Sequence, residues 1–480
     1  MSQVEPGVEI DEEVFEPGDS RFTVIRLSLT AALGGFLFGY DSAVINGAVK
    51  AITAHFSASP GVLGFVVASS LLGAAVGALG CGRVAERYGR LPAMRVAAVL
   101  FLIGAVGSGL ADSLVILVVF RVIGGVAVGV ASVIAPTYIA EIAPARIRGR
   151  LGSLQQLAIV SGIFLALLVD YAVAAAAGGS QSNFALGLVA WRWMFLSMVV
   201  PALLYGGLAF TIPESPRYLV AKRRLDEARS VLRRVLGNID LGAKVDQIEE
   251  TLQREGRPSI RDLRGRSFGL LPIVWVGIAL SVFQQFVGIN VIFYYSSVLW
   301  QAAGFTESDS LIITVITGAV NVVTTLVAIA SIDRFGRKPL LIIGSIGMAV
   351  TLGALAVVFG TATLKTGPMG PMPVLTGVAQ PVALIAANVY VFAFGMSWGP
   401  VVWVLLGESF PNKIRAAALS LAAGAQWVAN WVVTISFPPL KDAGLGLAYG
   451  IYTTFAVLSL LFVLKFIRET KGVELEDMPG

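Results

Sequence analysis

Hydrophobic residues in this chain neither alternate at strand spacing nor recur as a helical stripe; they run on for about 20 positions at a time. A helix rises about 1.5 Å per residue, so a run of about 20 covers the roughly 30 Å of hydrocarbon in a bilayer. Such runs lie near 24–47, 61–82, 92–111, 113–137, 151–176 and 191–212, and again near 270–300, 310–332, 339–362, 379–407, 415–438 and 445–467. The pattern predicts an all-α membrane protein with twelve transmembrane helices, six on each side of a charged stretch from Glu214 to Arg266. Inside that stretch the spacing changes. Leu225, Ala228, Val231, Leu232, Val235 and Leu236 follow a helical period with Lys and Arg opposite, which predicts short amphipathic helices lying under the bundle.

The loops repeat. Glu86-Arg87-Tyr88-Gly89-Arg90 follows the second run, and Asp333-Arg334-Phe335-Gly336-Arg337 follows the eighth. Glu141 to Arg148 follows the fourth run, and Glu408 to Arg415 follows the tenth with the same acid, proline and closing arginine. Two matched motifs in the same order imply two pseudo-symmetric six-helix bundles, the architecture of duplicated transporters. The expected organisation is a disordered tail over 1–20, a first bundle over 21–213, linker helices over 214–268, a second bundle over 269–468 and a tail over 469–480.

Composition agrees: 56% of residues are hydrophobic and 14% charged, and the mean hydropathy is +0.81, beyond what a soluble chain of this length carries. The net charge of +5 does not point to nucleic acid, because the basic residues sort by membrane side. Arg83, Arg87, Arg90, Arg146, Arg148, Arg150, the linker, Arg334, Arg337, Lys338, Lys413 and Arg415 occupy alternate loops. The opposite loops hold little beyond Lys50, Arg192, Lys365 and Lys441. By the positive-inside rule both termini are expected in the cytoplasm of a multi-pass cell-membrane protein. One cysteine, Cys81, and one histidine, His55, leave no disulfide and no His-based metal site, and no nucleophile with its base or phosphate loop is visible. No enzyme activity, cofactor or metal is expected.

Polar residues inside the runs carry the chemistry. Amides cluster in the seventh run as Gln284, Gln285 and Asn290, with Gly288 permitting the bend that aims them together. An uncharged amide in hydrocarbon is costly unless it faces a partner or a cavity, and it both donates and accepts, as a sugar hydroxyl does. Asp41 in the first run and Arg121 in the fourth would each be expensive alone, so they are expected to pair.

At these residues the chain resembles a sugar porter of the major facilitator superfamily, similar to bacterial proton-coupled xylose and glucose symporters and animal glucose facilitators. The resemblance spans nearly the whole chain. It rests on Gly82-x3-Glu86-Arg87-x-Gly89-Arg90, on Glu141-x2-Pro144-x3-Arg148-Gly149, on Pro213-Glu214-Ser215-Pro216-Arg217, on Gln284-Gln285-x3-Ile289-Asn290-x3-Tyr294-Tyr295 and on Arg468-Glu469-Thr470-Lys471-Gly472. Leu91 and Ile329 depart from its loop patterns. The resemblance implies a cargo site of Gln156, Gln284, Gln285, Asn290, Tyr295, Asn321, Trp398, Trp403, Gln426 and Trp427, with tryptophan packing on the C–H face of a pyranose. It implies that Asp41 accepts the coupling proton and releases Arg121, although Met198 stands where the xylose symporter has a further acid. It implies that Glu86, Arg90, Glu141, Arg148, Glu214, Arg217, Asp333, Arg337, Glu408 and Arg415 form a cytoplasmic gate. Ile163, where the xylose type has a second glutamine, favours a hexose. The expected function is proton-coupled monosaccharide uptake by alternating access, with sugar, proton and lipid as partners and a monomer as the working unit. The alternatives are a facilitative uniporter, a polyol or inositol symporter and a transporter-like sugar sensor.

Overall fold

The computed structural model describes residues 19–144, 147–237, 240–254, 260–265, 268–367, 370–410 and 414–469. The tails expected over 1–20 and 469–480 fall almost wholly outside these.

Twelve spans are present among the described residues. The first is α1 (Asp19–Ala43) with α2 (Ile45–Phe56), followed by α3 (Pro60–Tyr88), α4 (Arg90–Gly109), α5 (Leu114–Ile142) and α6 (Arg148–Ala177). A hairpin of β1 (Asn183–Ala185) and β2 (Leu188–Val189) leads to the sixth span, α7 (Ala190–Ser197) and α8 (Val199–Leu208). Helices α9 (Pro216–Ala221), α10 (Leu225–Leu236) and α11 (Leu241–Arg254) form the linker. The second half runs α12 (Pro272–Phe286) with α13 (Ile289–Ala302), α14 (Glu307–Phe335) and α15 (Arg337–Gly360). After the hairpin β3 (Thr363–Gly367) and β4 (Gly370–Val374) come α16 (Ala379–Gly395) with α17 (Trp398–Ser409), α18 (Arg415–Ala443) and α19 (Leu445–Phe466).

Eleven of the spans among the described residues are long and apolar enough to cross a bilayer as they stand. The sixth, split into the two short pieces α7 and α8, is not among them. At Met198 the helix tightens to one three-residue turn, Met198 N–H donating to the Phe195 carbonyl at 3.2 Å, and then resumes as Ala202 N–H reaches the Met198 carbonyl at 3.0 Å. Large apolar side chains such as Phe22, Leu79, Val115, Val200, Phe210 and Val350 stand outward and more than two-thirds exposed. Such a surface suits lipid rather than water.

Inside the first half, α3 and α5 touch backbone to backbone. A Cβ added at Gly73 or Gly77 would overlap the Val122 or Val126 carbonyl, and one at Gly125 or Gly129 would overlap the Ser70 or Ala74 carbonyl. These are two facing Gly-x3-Gly stripes, the small-residue contact by which helices associate where hydrophobicity between them drives nothing. Between the halves, α6 lies along α14, and α3 along α18. The linker packs as its spacing predicts, with Ala228, Val231, Leu232 and Val235 of α10 buried and α10 set against α1, α9 and α11.

Candidate functional site

Asp41 lies in the last turn of α1 and Arg121 in α5, only 4% and 2% exposed. Arg121 Nη1 donates to the Asp41 backbone carbonyl at 3.1 Å and to its Oδ1 at 3.5 Å, while Nη2 donates to Ser70 Oγ at 3.0 Å. Among the described residues Asp41 Oδ2 and Arg121 Nε have no partner. The pair is therefore held but not saturated. Neutralising the carboxylate would cost the guanidinium its longest contact and leave two shorter ones, so the pair can part without stranding the cation.

The seventh span breaks where the sequence predicts. Gly288 takes φ +84°, a left-handed conformation that glycine adopts freely, and the Val287 carbonyl freed there accepts the Tyr390 hydroxyl at 2.7 Å. The break folds Asn290 back over Gln285. Asn290 Nδ2 donates to Gln285 Oε1 at 2.5 Å, and Gln285 Nε2 reaches Gln284 Oε1 at 3.5 Å. Gln284 Nε2 in turn donates to the Trp398 and Gly399 carbonyls at 2.8 and 3.2 Å. Three amides thus run from α13 to the start of α17. Gln284 and Gln285 are buried and Asn290, at the end of the row, is half-buried.

The remaining expected cargo residues divide. Gln156, Gln426 and Trp427 are half-buried, Trp403 is 42% exposed, and Gln426 Oε1 has no partner among the described residues. Trp427 also packs at a tilt of 45° on Phe38 of α1, ring centroids 5.7 Å apart, joining the halves. Asn321 is buried beside Gly395, where a Cβ would lie 3.4 Å from its Oδ1. Two side chains are committed elsewhere in this conformation. The Trp398 indole N–H donates to Ser345 Oγ at 2.9 Å and to the Leu341 carbonyl at 3.2 Å on α15, and the Tyr295 hydroxyl donates to the Thr434 carbonyl at 3.0 Å on α18.

At the face opposite the basic loops the two halves are hydrogen-bonded to one another. Asn46 Nδ2 donates to the Phe293 carbonyl at 2.9 Å, Ser297 N–H to Asn46 Oδ1 at 3.1 Å and Ser297 Oγ to the Asn46 carbonyl at 2.6 Å, stitching α2 to α13 across the halves. At the basic face three sets of bonds each lie within a single half. Arg90 grips Glu141 with two donors at 2.6 and 2.9 Å. Glu214 accepts the Arg90 and Leu91 N–H groups at 3.0 and 3.1 Å, capping α4, and Glu469 accepts those of Arg337 and Lys338 at 3.0 and 2.9 Å, capping α15 in the same way. Glu86 makes no bond described here, and Arg217 and Arg337 are both engaged. The side chains of Arg148, Asp333, Glu408 and Arg415 lie outside the described ones.

Sequence reasoning missed Asn46 and Ser297, whose signal was a polar residue late in the first apolar run and another two turns beyond the amide row. It missed Tyr294, whose hydroxyl faces Ser42 of α1 and Asn430 of α18, and Glu469 as the counterpart of Glu214. It also missed Asp170, a second buried acid.

The sequence profile of a family described as "Sugar (and other) transporter" matches residues 27–480. The chain is 58% identical over 457 residues to the "Glucose transport protein" of Synechocystis sp., covering 95% of this chain and 97% of that one. It is 41% identical over 488 residues to the "D-xylose-proton symporter" of Escherichia coli, covering 95% of each. Its fold matches the partially occluded inward-open conformation of the xylose transporter XylE from E. coli with a TM-score of 0.78 at 37% identity, over 93% of this chain and 100% of that one.

Proposed function

The chain belongs to the sugar (and other) transporter family, and from that premise we propose that it carries a monosaccharide, a glucose-like hexose first, into the cell in company with a proton. The observation that carries the reading is the juxtaposition of two kinds of group. A buried, unsaturated Asp41–Arg121 pair joins the first and fourth spans, and an uncharged row, Gln284, Gln285 and Asn290, crosses the second half. Carboxylate chemistry serves the proton and amide chemistry the hydroxyls.

The basic face is the cytoplasmic one, so both termini lie inside, the protein sits in the cell membrane, and a single chain holds every residue the cycle uses. The conformation described is then closed outside by Asn46 and Ser297. When the outside opens, a proton neutralises Asp41 and loosens Arg121, and sugar settles against Asn290, Gln285, Gln156 and Gln426 with Trp403 and Trp427 on its C–H faces. The outer seal then forms and the pathway turns inward. Release of the proton to the cytoplasm recharges Asp41, which recaptures Arg121 and prepares the return. Glu214 and Glu469, with Arg90 and Glu141, hold the inner ends of each half as stiff units, and the gate proposed for Glu86, Arg90, Glu141, Arg148, Glu214, Arg217, Asp333, Arg337, Glu408 and Arg415 forms between those ends when the inside closes. Glucose is preferred to xylose because Ile163 presents no amide and the 58%-identical relative is a glucose transport protein.

The test is uptake into proteoliposomes of the wild-type chain, with and without an inward proton gradient, across a panel of hexoses, pentoses and polyols. Gradient-dependent accumulation of a hexose supports the reading. Equilibration without accumulation makes the protein a uniporter, and movement of polyols alone rejects the sugar assignment.

A further inference from the structure

Asp170, on α6, is an intramembrane acid that the coupling scheme leaves unused. It is fully buried, its Oδ2 accepts the Gly47 N–H at 3.0 Å, and its Oδ1 has no partner among the described residues. Gly47 is the third residue of α2, where the first-turn N–H groups of a helix have no acceptor of their own. The approach is close. A Cβ at residue 47 would stand 2.7 Å from the Asp170 Cβ and Cγ, so the carboxyl rests directly on the α2 backbone. Val44, ahead of α2, bonds only back to the Tyr40 carbonyl and offers no side-chain cap. One residue before Gly47 is Asn46, which makes all three bonds of the seal to α13.

The geometry assigns Asp170 the role of a positioning residue: a hydrogen-bond acceptor reaching from α6 that fixes the first turn of α2 and so aims Asn46 at Phe293 and Ser297. The assignment rests on the transport reading only in treating that seal as a gate. Acceptance, not proton carriage, is the work done. The carboxyl bonds α2 rather than Asp41, Arg121 or the amide row. The titratable group beside it, Tyr40 on α1, has its hydroxyl engaged with Ser197 Oγ at 2.6 Å. Helix α6 is a sound anchor for this, since it packs on α1 and α2 within its half and along α14 of the other.

The experiment is hydrogen–deuterium exchange of the purified full chain in lipid nanodiscs, read without sugar on peptides covering 45–56 and 289–302. Asp170→Asn keeps a carbonyl oxygen for Gly47 and should exchange like wild type in both peptides. Asp170→Leu should exchange about tenfold faster in both, the scale of one buried hydrogen bond, and Asn46→Ala should do the same. The double variant should be no faster than Asn46→Ala alone, because both act on one contact. Should Asp170→Leu fail to fold, Gly47→Ala displaces the carboxyl from the other side and carries the same expectation. Three results overturn the assignment: Asp170→Asn exchanging as Asp170→Leu does, Asp170→Leu exchanging as wild type does, or the two lesions adding. Because exchange is read without transport, a chain that moves no sugar would leave this inference standing or falling by itself.

Discussion

Replacing Asp41 with asparagine removes a charge while keeping shape, and the structure sets the cost. Stripping one partner from a buried ion pair costs about 3–5 kcal/mol when it leaves a bare charge. Here Arg121 would keep the residue-41 carbonyl at 3.1 Å and Ser70 Oγ at 3.0 Å, losing only the 3.5 Å contact. Hydrogen bonds from a charged donor are worth about 1.5–3 kcal/mol each, so the two that remain should hold the net loss to about 1–2 kcal/mol, and Asp41→Asn should fold. Its coupling should not survive. One pH unit is worth about 1.4 kcal/mol per proton, which for one proton per sugar sustains up to about tenfold accumulation. In proteoliposomes carrying that gradient, wild type should approach this ratio, and Asp41→Asn should equilibrate near one while still exchanging labelled for unlabelled sugar. Accumulation by Asp41→Asn above one would refute Asp41 as the coupling acid, and loss of the folded protein would refute the reckoning of retained bonds.

Asn290→Ala should weaken sugar binding by roughly 5- to 150-fold, the price of about 1–3 kcal/mol for a hydroxyl left unpaired, as followed by tryptophan fluorescence titration. Trp398→Phe deletes an indole N–H bonded to Ser345 and Leu341; it should lower thermal stability by about 1–2 kcal/mol and leave the order of preferred sugars unchanged in a competition assay. Glu469→Ala should uncap α15 at a cost of about 1 kcal/mol, and Glu214→Ala should do the same to α4, each slowing exchange without changing sugar affinity. Ile163→Gln adds an amide beside the cargo and should raise xylose uptake relative to glucose in the same panel.

Span number, the paired halves and the amphipathic linker were legible because each follows from a period: apolar runs, a repeated loop motif, a helical stripe. The seventh-span cluster was legible because amides in hydrocarbon demand partners, and Gly288 between Gln285 and Asn290 announced the bend that joins them. Direction was what the sequence withheld. Trp398 and Trp403 are five residues apart on one helix, and only packing decides that the first donates into α15 while the second stays open. Tyr295 carries a hydroxyl that suits a sugar, but the nearest acceptor is the Thr434 carbonyl. Asn46 and Asp170 were passed over because single polar residues near a span end are common, and their significance arises only when α2, α6 and α13 meet. The interruption at Met198 left no mark, since both pieces of the sixth span are apolar.

The facing glycines of α3 and α5 bear on how such a molecule moves. Two bundles that rock about a shared centre act as levers, and a lever transmits displacement only as far as it resists bending. Side chains between helices rotate and yield, but carbonyl against Cα has no slack. At Ser70–Gly125 and Ala74–Gly129 α3 and α5 are in effect welded over about two turns, so a shift begun where Asp41 meets Arg121 should pass toward Glu141 and Arg90 with little loss. The smallest substitution available, one methyl at Gly125, would pry that weld apart and turn a stiff lever into a compliant one.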